Sequence, residues 1–367
     1  MNRLIALVIV SSGLAMQILA QTTNLIEWQT NWPSGSGTGA LVTNQFDLPY
    51  SSSWFSSPSA QCVGTANGDN TATNLINYNN GSSVTFWTYF APTNTPVTLA
   101  PGKTLQVTMN FNLVGTASQN ASRGLRIGLL YAGTNNGAGQ MTYDNGSPRQ
   151  TNYWGYCQVM NFGTTFGVAP LQMDCFTNGV TNTDAIISKS GDGVQIGSNS
   201  GGTTNDPGFE DGANYTMVMS ISENSPTNVS ITTTFYGSTL SNSVAGTPGF
   251  ISQTVTDTNF CYTNFDTFCM RPAEQQEVST EFIITSFQVQ IITALSAPPP
   301  IKFNYSGGAL NLSWASSGWW LQAQTNSLTG GLGDNWVDVS GSTTVTSESI
   351  PVNPGNGSVF FRLSPNP

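Results

Sequence analysis

The 367-residue sequence contains no histidine, and charged residues make up only 8% of it. Without histidine there is no Ser-His-Asp or Cys-His pair and no imidazole metal ligand. There is also no side chain whose unperturbed pKa lies near neutrality. Acid–base chemistry is left to carboxylates, tyrosine, lysine and arginine. Cations are scarcer than acids: Lys+Arg is 9 against Asp+Glu of 19, a net charge of −10. Such a chain repels nucleic acid and anionic membranes, which need basic patches. Polyanionic glycans are disfavoured over most of the surface, and only a local arginine cluster would override this. Beyond the first twenty residues, no stretch approaches the ~18 apolar residues of a membrane-spanning helix.

What is present points to a folded, exported β-protein. Hydrophobic residues at 38% and aromatics at 11% are ample for a core and exclude disorder. Solubility rests on Ser, Thr, Asn, Gln and Gly. Residues 1–20 read as a secretory signal peptide. Arg3 supplies the positive start, Leu4 to Val10 are apolar, and a second apolar segment ends at Ala20, with cleavage expected before Gln21. The expected location is secreted or at the cell surface. Five cysteines, at 62, 157, 175, 261 and 269, suit an oxidising compartment. Cys261 with Cys269 would close a short loop, and Cys157 with Cys175 would bridge neighbouring strands. Buried reduced thiols are the alternative, and an odd count leaves at least one unpaired within the monomer. The spacings match no zinc pattern.

Short β-branched and aromatic runs alternate with Gly, Asn, Asp, Pro and Ser clusters throughout. Strands are expected at Ser83–Phe90, Thr104–Leu113, Gly124–Leu130, Tyr156–Asn161, Leu171–Phe176 and Tyr215–Ser222. Asn228–Tyr236, Phe265–Arg271 and Thr280–Ile291 continue the series. In Thr104–Leu113 the residues Leu105, Val107, Met109, Phe111 and Leu113 share one face, and the other face is polar. One side is core and one is wet, as in an antiparallel sheet. Many such strands without intervening helices predict a two-sheet antiparallel sandwich over 21–293. The stretch 294–300 ends in three prolines and reads as a stiff linker. Residues 301–367 hold further strand candidates and form a second, small β-domain.

Several segments resemble a known architecture. Gly124-Leu-Arg-Ile-Gly-Leu-Leu130 and Phe209-Glu-Asp-Gly-Ala-Asn-Tyr-Thr-Met217 are similar to laminin-G-like, concanavalin-type sandwiches of secreted bacterial proteins. Phe265-Asp-Thr-Phe-Cys-Met-Arg-Pro272 with Phe282–Ile291 is similar to their terminal strands. The tail, from Leu321 through Asn335-Trp-Val-Asp-Val339 to Phe360-Phe-Arg-Leu363, resembles a small C-terminal domain. That domain recurs on exported proteins of Verrucomicrobia-like bacteria. The resemblance implies an all-β jelly-roll and transfers no catalytic residues.

Candidate chemistry lies in three places. Glycoside hydrolases on such sandwiches usually place two carboxyls on alternate positions of one strand, ~5 Å apart when they act as nucleophile and acid. Glu274, Glu277 and Glu281 are the nearest approach, but their spacings of three and four do not share one strand face, and a solvated loop accounts for them. Catalytic residues stay unassigned. Asp206, Glu210 and Asp211, with Asp192, could supply oxygen ligands to calcium, while Asp-Gly turn chemistry accounts for the same residues without a metal. Aromatics and cations gather at Tyr153, Trp154, Tyr156 and Arg149, with Arg126 on the preceding strand and Trp54 upstream. Pyranose faces stack on Trp or Tyr while amides and guanidiniums bond hydroxyls, so these six are the candidate glycan-binding set. The alternative is that these aromatics are core, as Trp87 is expected to be. The tail carries Trp314, Trp319, Trp320 and Trp336, more than one small core needs.

The expected function is lectin-like binding of extracellular or cell-surface glycan without catalysis, with calcium as the one candidate cofactor. The alternatives are a carboxylate glycoside hydrolase and a purely structural adhesion protein.

Overall fold

The computed structural model describes residues 21–28, 55–57, 62–63, 66–67, 71–72, 76–79, 85–92, 95–118, 121–133, 140, 153–176, 193–272, 278–294, 298–315, 318–327, 332–353, 355 and 357–365. The expected signal peptide, Trp54, Arg149, Asp192, Glu274 and Glu277 lie outside them. Among the described residues there is no helix, so none long and apolar enough to cross a membrane. The chain divides into two compact units, Thr22–Thr293 and one that includes Ala294–Pro367.

The strands of the larger unit begin with β1 (Gln21–Trp28), β2 (Phe55–Ser57), β3 (Cys62–Val63), β4 (Ala66–Asn67), β5 (Thr71–Ala72) and β6 (Ile76–Asn79). Next come β7 (Thr85–Tyr89), β8 (Val97–Thr98), β9 (Lys103–Val114), β10 (Ala121–Tyr131), β11 (Trp154–Phe162) and β12 (Leu171–Phe176). The series ends with β13 (Val194–Ser200), β14 (Asn214–Ser225), β15 (Asn228–Asn242), β16 (Thr247–Asp257), β17 (Asn264–Phe265), β18 (Thr267–Pro272) and β19 (Glu281–Thr293). An eight-stranded sheet runs β16-β15-β14-β9-β19-β6-β3, with β1 also on β19. A seven-stranded sheet runs β13-β12-β11-β10-β18-β7-β2, and the neighbours along both of these runs pair antiparallel.

The two sheets close on one core. Leu105, Val107, Met109, Phe111 and Leu113 of β9 are all buried, as their alternation predicts. They pack in one cluster with Met217, Met219 and Ile231 of their own sheet and with Leu125, Ile127, Leu129, Met160 and Met173 of the other. Phe268 of β18 meets Phe287 of β19 edge-on at 4.7 Å between centroids, pinning the sheets together. Buried polar pairs also cross the gap. The Tyr156 hydroxyl donates to Asp257 Oδ2 at 2.7 Å, and Gln158 Nε2 donates to Gln253 Oε1 at 3.1 Å.

Nine strands, β1 to β6, β8, β13 and β16, have no counterpart in the sequence reading, and β16 and β13 show why. Pro248-Gly249 looks like a breaker, yet β16 starts just before it. An edge strand tolerates a proline because one side of its backbone makes no ladder. β13 is an edge of the seven-stranded sheet, polar and largely exposed, so hydrophobic alternation gives it no signal.

The smaller unit contains β20 (Lys302–Ser306), β21 (Ala309–Ser313), β22 (Trp319–Asn326), β23 (Val337–Asp338), β24 (Ser347–Pro351) and β25 (Ser358–Pro365). They form two three-stranded sheets, β20-β21-β24 and β23-β22-β25. Leu310, Leu312, Trp314, Trp319, Leu321 and Leu363 are its core. Trp320 and Trp336 are half-buried, which accounts for the surplus of tryptophan. The Arg362 guanidinium covers the Trp336 ring at 4.3 Å, and Arg362 Nε donates to Gln322 Oε1 at 2.7 Å.

Candidate functional site

The outward face of the seven-stranded sheet is built from residues that alternate with the core set. Along β10 the inward residues are Leu125, Ile127 and Leu129, so Arg126, Gly128 and Leu130 point outward. The same parity sends Cys157 and Val159 outward on β11, Gln172, Asp174 and Phe176 on β12, and Cys269 and Arg271 on β18. Register then fixes rows across the sheet. Gln172 lies opposite Val159, Val159 opposite Arg126, and Arg126 opposite Arg271. Two residues along, Asp174, Cys157, Gly128, Cys269 and Trp87 form the next row.

One end of this face is apolar and covered. Trp87, Tyr89, Leu130, Ala132, Tyr153, Cys157, Val159, Phe176 and Cys269 make a second buried cluster, separate from the core between the sheets. Trp87 is therefore buried as expected, but on the outer side. Its indole donates to the Tyr89 hydroxyl at 3.1 Å, which shares a 2.7 Å hydrogen bond with the Tyr153 hydroxyl. Asp266 sits beside this chain and is 1% exposed. Burial pushes its carboxyl up to about 6, although it accepts hydrogen bonds from the Thr267 hydroxyl at 2.6 Å and the Ala132 amide at 2.8 Å.

The other end is polar. Arg126 is 2% exposed, and its Nε donates to the Arg123 carbonyl at 3.2 Å. Arg123 occupies a bulge of β10 with φ of 58°, its amide held by Asn161 Oδ1 at 2.9 Å. Arg271 is half-buried. Gln172 Nε2 donates to Asp174 Oδ1 at 2.7 Å. Burial raises the Asp174 carboxyl, against the pull of Gln172 and Arg123.

This placement corrects the aromatic platform expected around Tyr153–Tyr156. Tyr153 and Tyr156 are both fully buried and have no open ring face for a sugar. Tyr153 belongs to the outer cluster. Tyr156 lies between the sheets, where burial and the Asp257 hydrogen bond raise its pKa. Only Trp154 keeps partial exposure, with its ring edge-on to Tyr131 at 5.0 Å. Arg126 does lie on the outward face, and its cross-strand partner Arg271 went unnoticed as a site residue in the sequence. The signal was available: both are charged interruptions at outward positions of apolar strands.

Both expected disulfide pairings are also corrected. Cys157, Cys175, Cys261 and Cys269 form no disulfide. Cys175 lies opposite Tyr156 and points inward, while Cys157 lies opposite Asp174 and points outward, so the sheet itself separates them. Cys269 is in the outer cluster, whereas Cys261 packs against the inner core. Cys157 and Cys269 share a face but flank Gly128 on either side, two strand spacings or ~9.5 Å apart, beyond disulfide reach.

The acidic loop does not gather into a cation site. Asp206 Oδ2 accepts the Thr203 amide at 2.8 Å and the Ser243 amide at 3.1 Å. Burial opposes its ionisation, yet these bonds win and hold its pKa below the usual range. Asp211 accepts the Thr116 amide, which lowers its pKa in the same way. Glu210 is exposed, and its amide donates to the Tyr215 hydroxyl at 2.7 Å. Asp206 and Asp211 thus cap turns, and no group of three metal-ligating acids or thiols occurs among the described residues. Among the described residues no sandwich strand carries two carboxylates: Glu27, Asp174, Glu223, Asp257 and Glu281 sit on β1, β12, β14, β16 and β19 respectively.

No protein-family model matches the chain, and no curated protein does. Solved structures with a similar course are β-sandwich lectins. The exoplasmic/lumenal domain of VIP36 in its Ca2+/Man-bound form aligns at TM-score 0.41 and 11% identity, covering 81% of this chain and 99% of that one. The potassium-bound carbohydrate recognition domain of Emp46p aligns at TM-score 0.37 and 10% identity, covering 68% and 95%. The Lotus tetragonolobus seed lectin aligns at TM-score 0.33 and 7% identity, covering 74% and 100%. The fold assignment rests on the strand pairing and shared core described above.

Proposed function

We propose that this is an exported, lectin-like protein that binds extracellular or cell-surface glycan without catalysis, through the polar end of the outward face of the seven-stranded sheet. The observation that carries the reading is the row Gln172–Val159–Arg126–Arg271, with Asp174 and Asn161 beside it. Gln172, Asn161 and Arg271 are half-buried there, with Arg126 and Asp174 buried behind them, and sugar hydroxyls are recognised by amide and guanidinium groups. The tail unit would serve attachment, with Trp320 and Trp336 as its half-buried aromatics.

The test is a glycan array probed with the mature protein, with and without a calcium chelator. Binding to a defined glycan set that survives chelation is the expected result. Loss of binding on chelation would move the site to the acidic loop with Asp192 and Glu210. Failure to bind any glycan would remove the reading, and release of reducing ends from a polysaccharide would replace it with a hydrolase.

A further inference from the structure

The outward face of the eight-stranded sheet follows from the same parity. On β15 the buried residues Ile231, Thr233 and Phe235 face the core, so Thr232, Thr234 and Tyr236 face outward. Register carries these positions across five strands. Phe250 of β16 lies opposite Tyr236, Tyr236 opposite Thr216 of β14, Thr216 opposite Asn110 of β9, and Asn110 opposite Ser286 of β19. At ~4.8 Å between strands, this row is ~19 Å long. Three more rows follow it along the strands, the last running from Thr256 to Ile292. None of the residues in the four rows is charged, in a chain with 19 acids and a net charge of −10.

Two features set the Tyr236 row apart from a merely solvated face. The first is aromatic. Tyr236 is 48% exposed, and the half-buried Phe250 ring lies 5.9 Å from it between centroids, tilted by 42°. Neither ring belongs to a core cluster. Unlike Tyr153 and Tyr156, Tyr236 keeps an open surface on which a pyranose can stack through its C–H groups. The second is a hydrogen-bonded relay beside that ring. Thr216 Oγ1 donates to Asn110 Oδ1 at 2.6 Å, and Asn110 Nδ2 donates to Ser286 Oγ at 2.6 Å. These bonds hold the rotamers and still leave the second Nδ2–H of Asn110, the Ser286 hydroxyl proton and the lone pairs of Thr216 for a ligand. All three residues are half-buried, so a molecule lying on the face reaches them.

We propose that this face is a second saccharide site, at which a neutral polysaccharide stacks one sugar ring on Tyr236 and lies along Thr216, Asn110 and Ser286. It is separate from the site on the seven-stranded sheet and does not depend on it. The ligand is neutral because no cation stands in the four rows to pair with a carboxylate or a sulfate. It is a chain because the row is several times as long as one pyranose ring. Side chains already held by one another lose little freedom on binding, which favours even weak contacts repeated along a polymer.

The experiment measures binding of the full chain to three uncharged polymers, xyloglucan, glucomannan and laminarin, and to polygalacturonate. Binding to at least one uncharged polymer, changing less than about twofold between about 50 and 500 mM salt, is expected. Tyr236→Ala should weaken it about tenfold, and Tyr236→Phe should keep it. Thr216→Glu, which puts a charge in the middle of the row, should weaken it as Tyr236→Ala does. Binding that Tyr236→Ala leaves intact in a folded protein would overturn this site and leave the seven-stranded-sheet reading standing. Binding to polygalacturonate alone, or to none of the uncharged polymers, would overturn the neutral ligand. A dimer that Tyr236→Ala splits, with polymer binding unaffected, would assign the face to a second copy of the chain instead. If Tyr236→Ala does not fold, Thr216→Glu decides in the same way.

Discussion

Asp266 and Tyr156 show how buried polar side chains set the conditional stability of this sandwich. The Asp266 carboxyl is held near 6, above its ordinary value of 3.8. Between about pH 4 and 6 the folded protein keeps a proton that the unfolded chain has released. The resulting stabilisation is complete below about pH 4 and is lost as pH rises through 6. Its upper bound is ~3 kcal/mol. Asp206, Asp211 and Asp257 act with the opposite sign, because their folded pKa values are depressed. The clean readout is a difference: urea unfolding from pH 4 to 7 should show Asp266→Asn gaining on the native protein as pH rises. Parallel curves would contradict the burial argument. The Tyr156 hydroxyl donates to Asp257 and accepts the Tyr262 amide at 3.0 Å. Tyr156→Phe leaves both partners short of a bond and should cost ~1–3 kcal/mol in denaturant, with glycan binding retained.

Strand pairing decides what alternation alone could not. The β9 pattern showed which residues face the core, because a half-wet strand carries its own signal. β11 does not: its residues are buried on both faces almost without a break. Tyr153 and Tyr156 therefore looked like an exposed aromatic group when they belong to opposite cores. The outer cluster was illegible for the same reason, since nothing in Trp87 or Cys269 says which side of a sheet they face. Arg126 and Arg271 lie 145 positions apart in the sequence, and only the antiparallel register brings them together. Gly155 marks a close approach of β11 to β10. Its φ is +147°, and a Cβ there would lie 2.3 Å from the Leu129 carbonyl oxygen. Gly155→Ala should cost at least ~1–3 kcal/mol, visible as a lowered denaturation midpoint. The face reading of the cysteines has its own check. Non-reducing peptide mapping of the protein should yield no 157–175 and no 261–269 cross-link; recovery of either would contradict the sheet parity.

The two compact units meet the chain's composition in different ways. The larger unit stacks two sheets and carries a second apolar cluster on one outer face, while the smaller buries Trp314 and Trp319 in a core of a few residues. Length, alternation and the proline-rich stretch made this all-β organisation readable without coordinates. Ligand chemistry was less readable, because the sequence places acids in turns and aromatics in strands without saying which are covered. Limited proteolysis at 295–300 should release a fragment of about residues 22–293 that unfolds cooperatively and still binds glycan, since the proposed site lies wholly within it. The account stands or falls on where glycan sits. Hydrogen–deuterium exchange on the native protein saturated with its best array ligand is the direct measurement. The account predicts new protection in β10, β11 and β18 around Arg126, Val159 and Arg271. Protection confined to the eight-stranded sheet or to the tail, with these three strands unchanged, would contradict it.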